Sequence, residues 1–297
     1  MTGRLPAHRL GSAGDPPPAD LGADDIRAAL SGARLTGPVV VRGRVASTMD
    51  DLAALADAGA PEGTVVVADV QSAGRGRLDR RWDAPPGAAV LLSVLLRPAR
   101  HGLPAARFPE LLMAAALGVA DVVARHASPA VAVALKWPND VVADGAKVAG
   151  LLAEVRHRRG GGPDAGPAVL VGIGLNVFQA ADALPPGAVS LAQLPGVITS
   201  GAGGAPGGHA GPGRAGLIAE VLNAIDRHYA DGVAGTSLVP RWAARLATVG
   251  QDVAVRQGDA HVRGRAVGVS AAGALEVETA AGERVFVTAG DVLPGGA

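Results

Sequence analysis

Residues 132–157 read AVALKWPNDVVADGAKVAGLLAEVRH, and this stretch decides the fold class. Three runs of strand character, 132–137, 140–144 and 147–157, follow one another with only the WPND turn and Asp144-Gly145 between them. Asn, Asp and Gly at such positions serve tight turns. A fourth run, PAVLVGIGLNV at 167–177, follows a Gly/Pro-rich stretch at 160–167. Connections this short join antiparallel strands, whereas a doubly wound nucleotide fold needs a helix between neighbours. The spacing predicts an α+β domain on a mainly antiparallel sheet.

Upstream, PVVVRGRV (38–45), TVVVADV (64–70) and AAVLLSVLL (88–96) read as further strands, the last one buried. Ser47-Thr48-Met49-Asp50-Asp51 carries the hydroxyls and acids of a helix start, with the helix running to about residue 58. Other helices are predicted near 23–30, at 108–125 (almost wholly apolar and so deep in the core), at 214–229 and at 237–246. From residue 248 the runs VAVRQ, HVRGRAVGVS, ALEVETA and RVFVTAGDV alternate and are broken by glycine, as in a small β-barrel. The expected organisation is a disordered segment at 1–20, a main α+β domain at 21–246 with a flexible Gly-rich insert near 195–213, and a C-terminal barrel at 247–297.

Composition narrows the chemistry. Of 297 residues, 27 are Lys or Arg and 27 are Asp or Glu, so no global field draws the chain to nucleic acid or an anionic membrane. There is no cysteine, which excludes disulfides, thiolate nucleophiles and Cys-ligated zinc and suits a reducing cytoplasm. The seven histidines are scattered without paired ligand spacing, and no G-x-S-x-G elbow is present. The N-terminus lacks an apolar signal region, and no apolar window approaches a bilayer span. Only two of the 27 basic residues are lysines, Lys136 and Lys147. In a chain that writes Arg for generic positive charge, those two positions call for a compact, rotatable ammonium.

Four stretches carry candidate chemistry. QSAGRGRLDRRW (71–82) lacks the third glycine and the following helix of a dinucleotide fingerprint, and no Gly-Lys-Ser/Thr ends a phosphate loop. It reads as a mobile loop bringing arginines to an anion, or as a solvated hairpin tip. KWPND (136–140) places a lysine and ligand oxygens at a tight bend. In KVAGLLAE (147–154), strict alternation puts Lys147 and Ala149 on one face and Val148 and Gly150 on the other, which serves an inward lysine or a solvent-facing one equally. The glycines of GIGLN (172–176) mark close approach of a backbone or ligand, or tight sheet packing.

Together with STMD at 47–50, these stretches in this order resemble the biotin protein ligase family. The resemblance implies a catalytic domain related to class II aminoacyl-tRNA synthetases, followed by a small SH3-like domain. It implies activation of biotin by ATP and Mg²⁺ to biotinyl-5′-adenylate, then transfer to a lysine of a carboxylase's biotin carrier domain. It further implies that Ser47, Thr48, Met49, Gln71, Arg75, Gly76, Arg77 and Lys147 bind biotin. Arg75, Arg77, Trp82, Lys136, Asn139 and Asn176 would hold ATP or the adenylate, Lys136, Lys147 and Arg75 would be catalytic, and Asp140 would hold the metal. Many members carry GRGRxGRxW, where this chain has Asp79 in the third glycine position. With about 35 residues before the first strand, the expectation is a cytoplasmic ligase without a DNA-binding domain, monomeric or homodimeric. Two other readings stand beside it: a lipoate or octanoate ligase or transferase on the same fold, and a biotin-sensing module without enzymatic activity.

Overall fold

The computed structural model describes residue 16 and residues 18–78, 80–157, 166–197, 213–257 and 260–294. Most of the expected N-terminal and Gly-rich insert segments, and Asp79, lie outside these residues. The elements in chain order are α1 (Ala23–Ala28), β1 (Val39–Val45), α2 (Thr48–Asp57), β2 (Val65–Gln71), β3 (Ala89–Leu96), α3 (Pro109–His126), β4 (Val133–Lys136), β5 (Asp140–Ala143), β6 (Ala146–Arg156), β7 (Ala168–Asn176), α4 (Arg214–Val233) and α5 (Val239–Ala243). Five further strands follow: β8 (Asp252–Gln257), β9 (Ala260–Val269), β10 (Leu275–Glu278), β11 (Arg284–Val287) and β12 (Asp291–Pro294).

The first seven strands form one sheet in the order β1-β2-β3-β7-β6-β5-β4. Only β1 and β2, linked through α2, run parallel; every other neighbouring pair is antiparallel, as the short connections predict. Asp144 and Gly145 both adopt positive φ (48° and 81°), the geometry of the tight β5–β6 hairpin. The central strands β3 and β7 are buried along their whole length, which is why they read as unbroken apolar runs rather than alternating ones.

Period-2 alternation separates the two faces. Val65, Val67, Val169, Val171 and Ile173 belong to the main core with α3 and α4, whereas Val66, Leu95 and Leu170 pack with Met49, Leu52 and Ala56 of α2. The functional stretches lie on the α2 face. The last strands form a separate antiparallel sheet ordered β11-β10-β9-β8-β12. It meets the first sheet at the WPND bend, where Trp137 N donates to Thr248 Oγ1 (3.0 Å) and the indole Nε1 to Gly273 O (3.1 Å).

Helix α5 is shorter than the 237–246 expected. Leu135 N donates to Arg245 O and Ala247 N to Leu135 O, so the edge of β4 takes the backbone that would have continued the helix.

Candidate active site

Ser47 caps α2, its hydroxyl accepting from Met49 N at 3.3 Å, and this fixes the helix entry at the rim of a cavity of about 250 Å³. Gln71, at the end of β2, accepts from Thr48 N (2.8 Å) and from Thr48 Oγ1 (3.1 Å) through Oε1. The backbone donor identifies that atom as the oxygen, and Gln71 lines the cavity. Thr48 Oγ1 also lies 2.8 Å from Ser93 Oγ; since the threonine proton goes to Gln71, Ser93 is the donor. Ser93 was missed in the sequence, although it is the one polar residue of AVLLSVLL.

Gly150, Gly172 and Gly174 make the floor. A Cβ on Gly172 would stand 2.9 Å from Met49 Sδ, one on Gly150 2.8 Å from Trp82 Cζ3, and one on Gly174 would overlap the indole itself. The glycines leave a hollow on the sheet into which Met49 and Trp82 settle. The Trp82 Nε1 is buried and without a hydrogen-bond partner.

Strict alternation fails for Lys147. Val141 pairs with Ala149 but Val142 pairs with Lys147, so Val148 is an extra residue, a β-bulge that brings Lys147 onto the same face as Gly150. A Cβ on Gly150 would stand 3.0 Å from the Lys147 ammonium. The ammonium lies 2.7 Å from Asp140 Oδ1 and 5.4 Å from the centre of the Trp82 ring. That contact is an ion pair without aligned hydrogen-bond geometry, since Asp140 Oδ1 is buried and makes no hydrogen bond. Lys136, four residues before Asp140, has no carboxylate within ion-pair distance among the described residues, and its side chain lines the same cavity.

Residues 74–78 and 80–82 form a short hairpin. Gly76 N donates to Arg80 O (2.7 Å), Trp82 N to Gly74 O (3.0 Å), and Arg75 bridges to Arg81. This pairing gives the stretch the hairpin form that the sequence offered as one of its two readings. Arg75 is held between Asp50 (2.9 Å) and Glu154 (2.7 Å), and Arg77 donates to Asn139 Oδ1 and to Gly290 O, both at 3.3 Å. Burial lowers the Arg77 guanidinium below its usual range, against the opposing pull of Asp291 and Asp140.

The cavity thus collects Ser47, Thr48, Met49, Gln71, Arg75, Gly76, Arg77, Trp82, Lys136, Asn139, Asp140 and Lys147 on one surface. Asn176 is not among its lining: its amide donates to Val189 O (3.2 Å) and Lys147 O (3.5 Å) and accepts from Gln179 (3.0 Å), behind the Lys147 bulge. Three lining residues that the sequence did not signal, Asp291, Val292 and Leu293, come from β12. Among the described residues the lining holds six cations, Arg75, Arg77, Arg80, Arg81, Lys136 and Lys147, against two carboxylates, Asp140 and Asp291. No cluster of three or more metal-ligating side chains occurs among the described residues. The arrangement is suited to gathering anions next to a half-polar slot.

Residues 43–176 match the biotin/lipoate A/B protein ligase family, and residues 248–293 match the biotin protein ligase C-terminal domain. A biotin--[acetyl-CoA-carboxylase] ligase of Mycobacterium tuberculosis is 36% identical over 274 residues, covering 91% of this chain and 92% of that protein. The chain belongs to the biotin protein ligase family. A second ligase of that name, from Paracoccus denitrificans, is 36% identical over 78% of this chain and 90% of its own length. Among solved structures, the biotin protein ligase from Aquifex aeolicus in complex with biotin and ATP superposes with a TM-score of 0.67 at 24% identity, covering 86% of this chain and 98% of that one. That likeness concerns the fold. The α+β catalytic sheet and the separate C-terminal antiparallel sheet are those of the biotin protein ligase family.

Proposed function

We propose that the protein is an ATP-dependent biotin protein ligase, which makes biotinyl-5′-adenylate and passes the biotin to a lysine on the carrier domain of a biotin-dependent carboxylase. The observation that carries this reading is the single cavity that unites both lysines of the chain with the Thr48–Gln71 donor–acceptor pair. The C-terminal domain match and the ligase names of the relatives support biotin over lipoate.

The chemistry is the meeting of two anions. A biotin carboxylate oxygen attacks the α-phosphorus of ATP and pyrophosphate leaves; the acceptor amine then attacks the acyl carbon and AMP leaves. Repulsion between carboxylate and phosphate is the main obstacle, so positioned cations and a fixed approach supply most of the rate. In this reading Lys147 faces the carboxylate and Lys136 the α-phosphate, while Arg75 and Arg77 cover the adenylate. Ser47, Thr48 and the free Gln71 amide donors recognise the ureido group, and Met49 packs on it. Trp82 and Asn139 flank the nucleotide.

Mg²⁺ typically keeps most of its waters and takes one or two carboxylates beside substrate phosphates. Asp140, a cavity carboxylate whose Oδ1 is paired with the Lys147 ammonium, would supply such a ligand through its other oxygen. Asn176, outside the cavity lining, supports the Lys147 backbone carbonyl from behind. The requirement for ATP and a carboxylase partner sets the reaction in the cytoplasm; no described helix is long and apolar enough to cross a membrane.

Incubation with labelled biotin, ATP and Mg²⁺ tests the reading. Adenylate and pyrophosphate are expected without a carrier domain, and labelled carrier with one. No label in either sample overturns it.

A further inference from the structure

The two ends of the 71–82 hairpin are fastened to different parts of the molecule. Arg75 is strapped to the catalytic sheet and α2 by Glu154 and Asp50. Arg80, on the returning strand, pairs with Asp291, the first residue of β12, and Arg77 reaches the neighbouring Gly290 carbonyl. A carboxylate is an odd component for a cavity built to gather anions, because it repels phosphate. Asp291 is only 11% exposed in its side chain, and its Oδ2 serves two arginines, Arg80 and Arg256 (3.4 Å). Its placement is explained if its partner is the hairpin rather than a substrate.

We propose that Asp291 is a positioning residue: through Arg80 it holds the hairpin, and with it Arg77, over the cavity, so that retention of the bound acyl-adenylate depends on the C-terminal sheet. The inference rests on the ligase reading for its substrate, but the latch itself is a property of the free protein. Arg256 supplies the internal comparison, because it touches the same oxygen from β8 and makes no hydrogen bond or ion pair with the hairpin among the described residues.

The test uses the full chain and two readouts. The first is amide hydrogen exchange at Gly76 and Trp82, whose N–H groups close the hairpin, measured without substrates. The second is the rate at which preformed biotinyl-5′-adenylate leaves the protein. Asp291→Asn and Arg80→Gln are each expected to raise both by about tenfold, the scale of a lost charge-assisted hydrogen bond, with no further increase in the double variant. Arg256→Gln leaves both as in the unaltered protein. Arg80 is 60% exposed in its side chain, so its variant does not threaten the fold. Exchange in Asp291→Asn equal to that of the unaltered protein overturns the latch, as does an Arg256→Gln that reproduces Asp291→Asn. If exchange responds as expected and the unaltered protein makes no adenylate, the ligase reading fails and the latch stands.

Discussion

The Lys147 ammonium and Asp140 Oδ1 stand 2.7 Å apart on facing strands, with the indole of Trp82 beside them. A guanidinium is larger, planar and fixed in its donor directions, so it cannot settle between Gly150, Asp140 and the ring. Lys147→Arg is therefore expected to slow adenylate formation by roughly 10²-fold, the usual scale for a misplaced electrostatic contact. Biotin-dependent pyrophosphate release in single turnover is the measurement. A rate like that of the unaltered protein sinks the role given to this lysine.

Two glycines on one strand are expected to differ. Alanine at Gly172 meets the end of a flexible methionine, which can rotate aside. At Gly174 it meets the rigid indole of Trp82, which must leave the floor. Gly174→Ala should weaken ATP binding more than Gly172→Ala and shift tryptophan emission; equal effects contradict the packing described.

Gln71 offers a clean separation of the two substrates. Its Oε1 is committed to Thr48, and the residue lines the cavity. Replacing it by leucine leaves a buried acceptor on biotin unmatched, which costs about 1–3 kcal/mol. Gln71→Leu should raise the KM for biotin while that for ATP stays within about twofold, a change far below the tenfold given by 1.4 kcal/mol. A parallel loss for both substrates would falsify the assignment.

Acid sensitivity is expected from a pair remote from the cavity. Burial pushes the Glu110 carboxyl up, but hydrogen bonds from Arg107 (2.6 and 2.9 Å) and from Leu238 N–H outweigh it and hold the group below its ordinary value. A depressed folded-state pKa stabilises the fold above the unfolded value, about 4.3, and this contribution disappears as pH falls through the folded value. Glu110→Gln should cost about 1–3 kcal/mol at pH 7 and much less at pH 3, read from urea unfolding at the two pH values. A pH-independent difference contradicts it.

Local signals carried much of this structure into the sequence. The WPND and Asp144-Gly145 turns force hairpins, and the Ser47 cap starts α2 where its hydroxyl falls. The face of Lys147 was not legible, because one extra residue at Val148 cancels the alternation on which that reading depends. Nor were Asp291, Val292 and Leu293, which reach the cavity through the docking of two sheets rather than through any nearby motif. Asn176 carried a polar signal in a glycine-rich strand, but its partners are two backbone carbonyls and the Gln179 side chain, behind the bulge.

The cavity has a consequence for the order in which the molecule is assembled. Its walls run from Ser47 on the first helix crossover to Leu293 on β12, so nearly the whole described chain must be in place before the last wall closes. Contacts so distant in sequence make folding slow, because loop-closure entropy opposes them until they form. A partly folded chain, however native its first sheet, has an unfinished vessel. The capacity to keep a reactive intermediate thus belongs to the two sheets together and to neither alone.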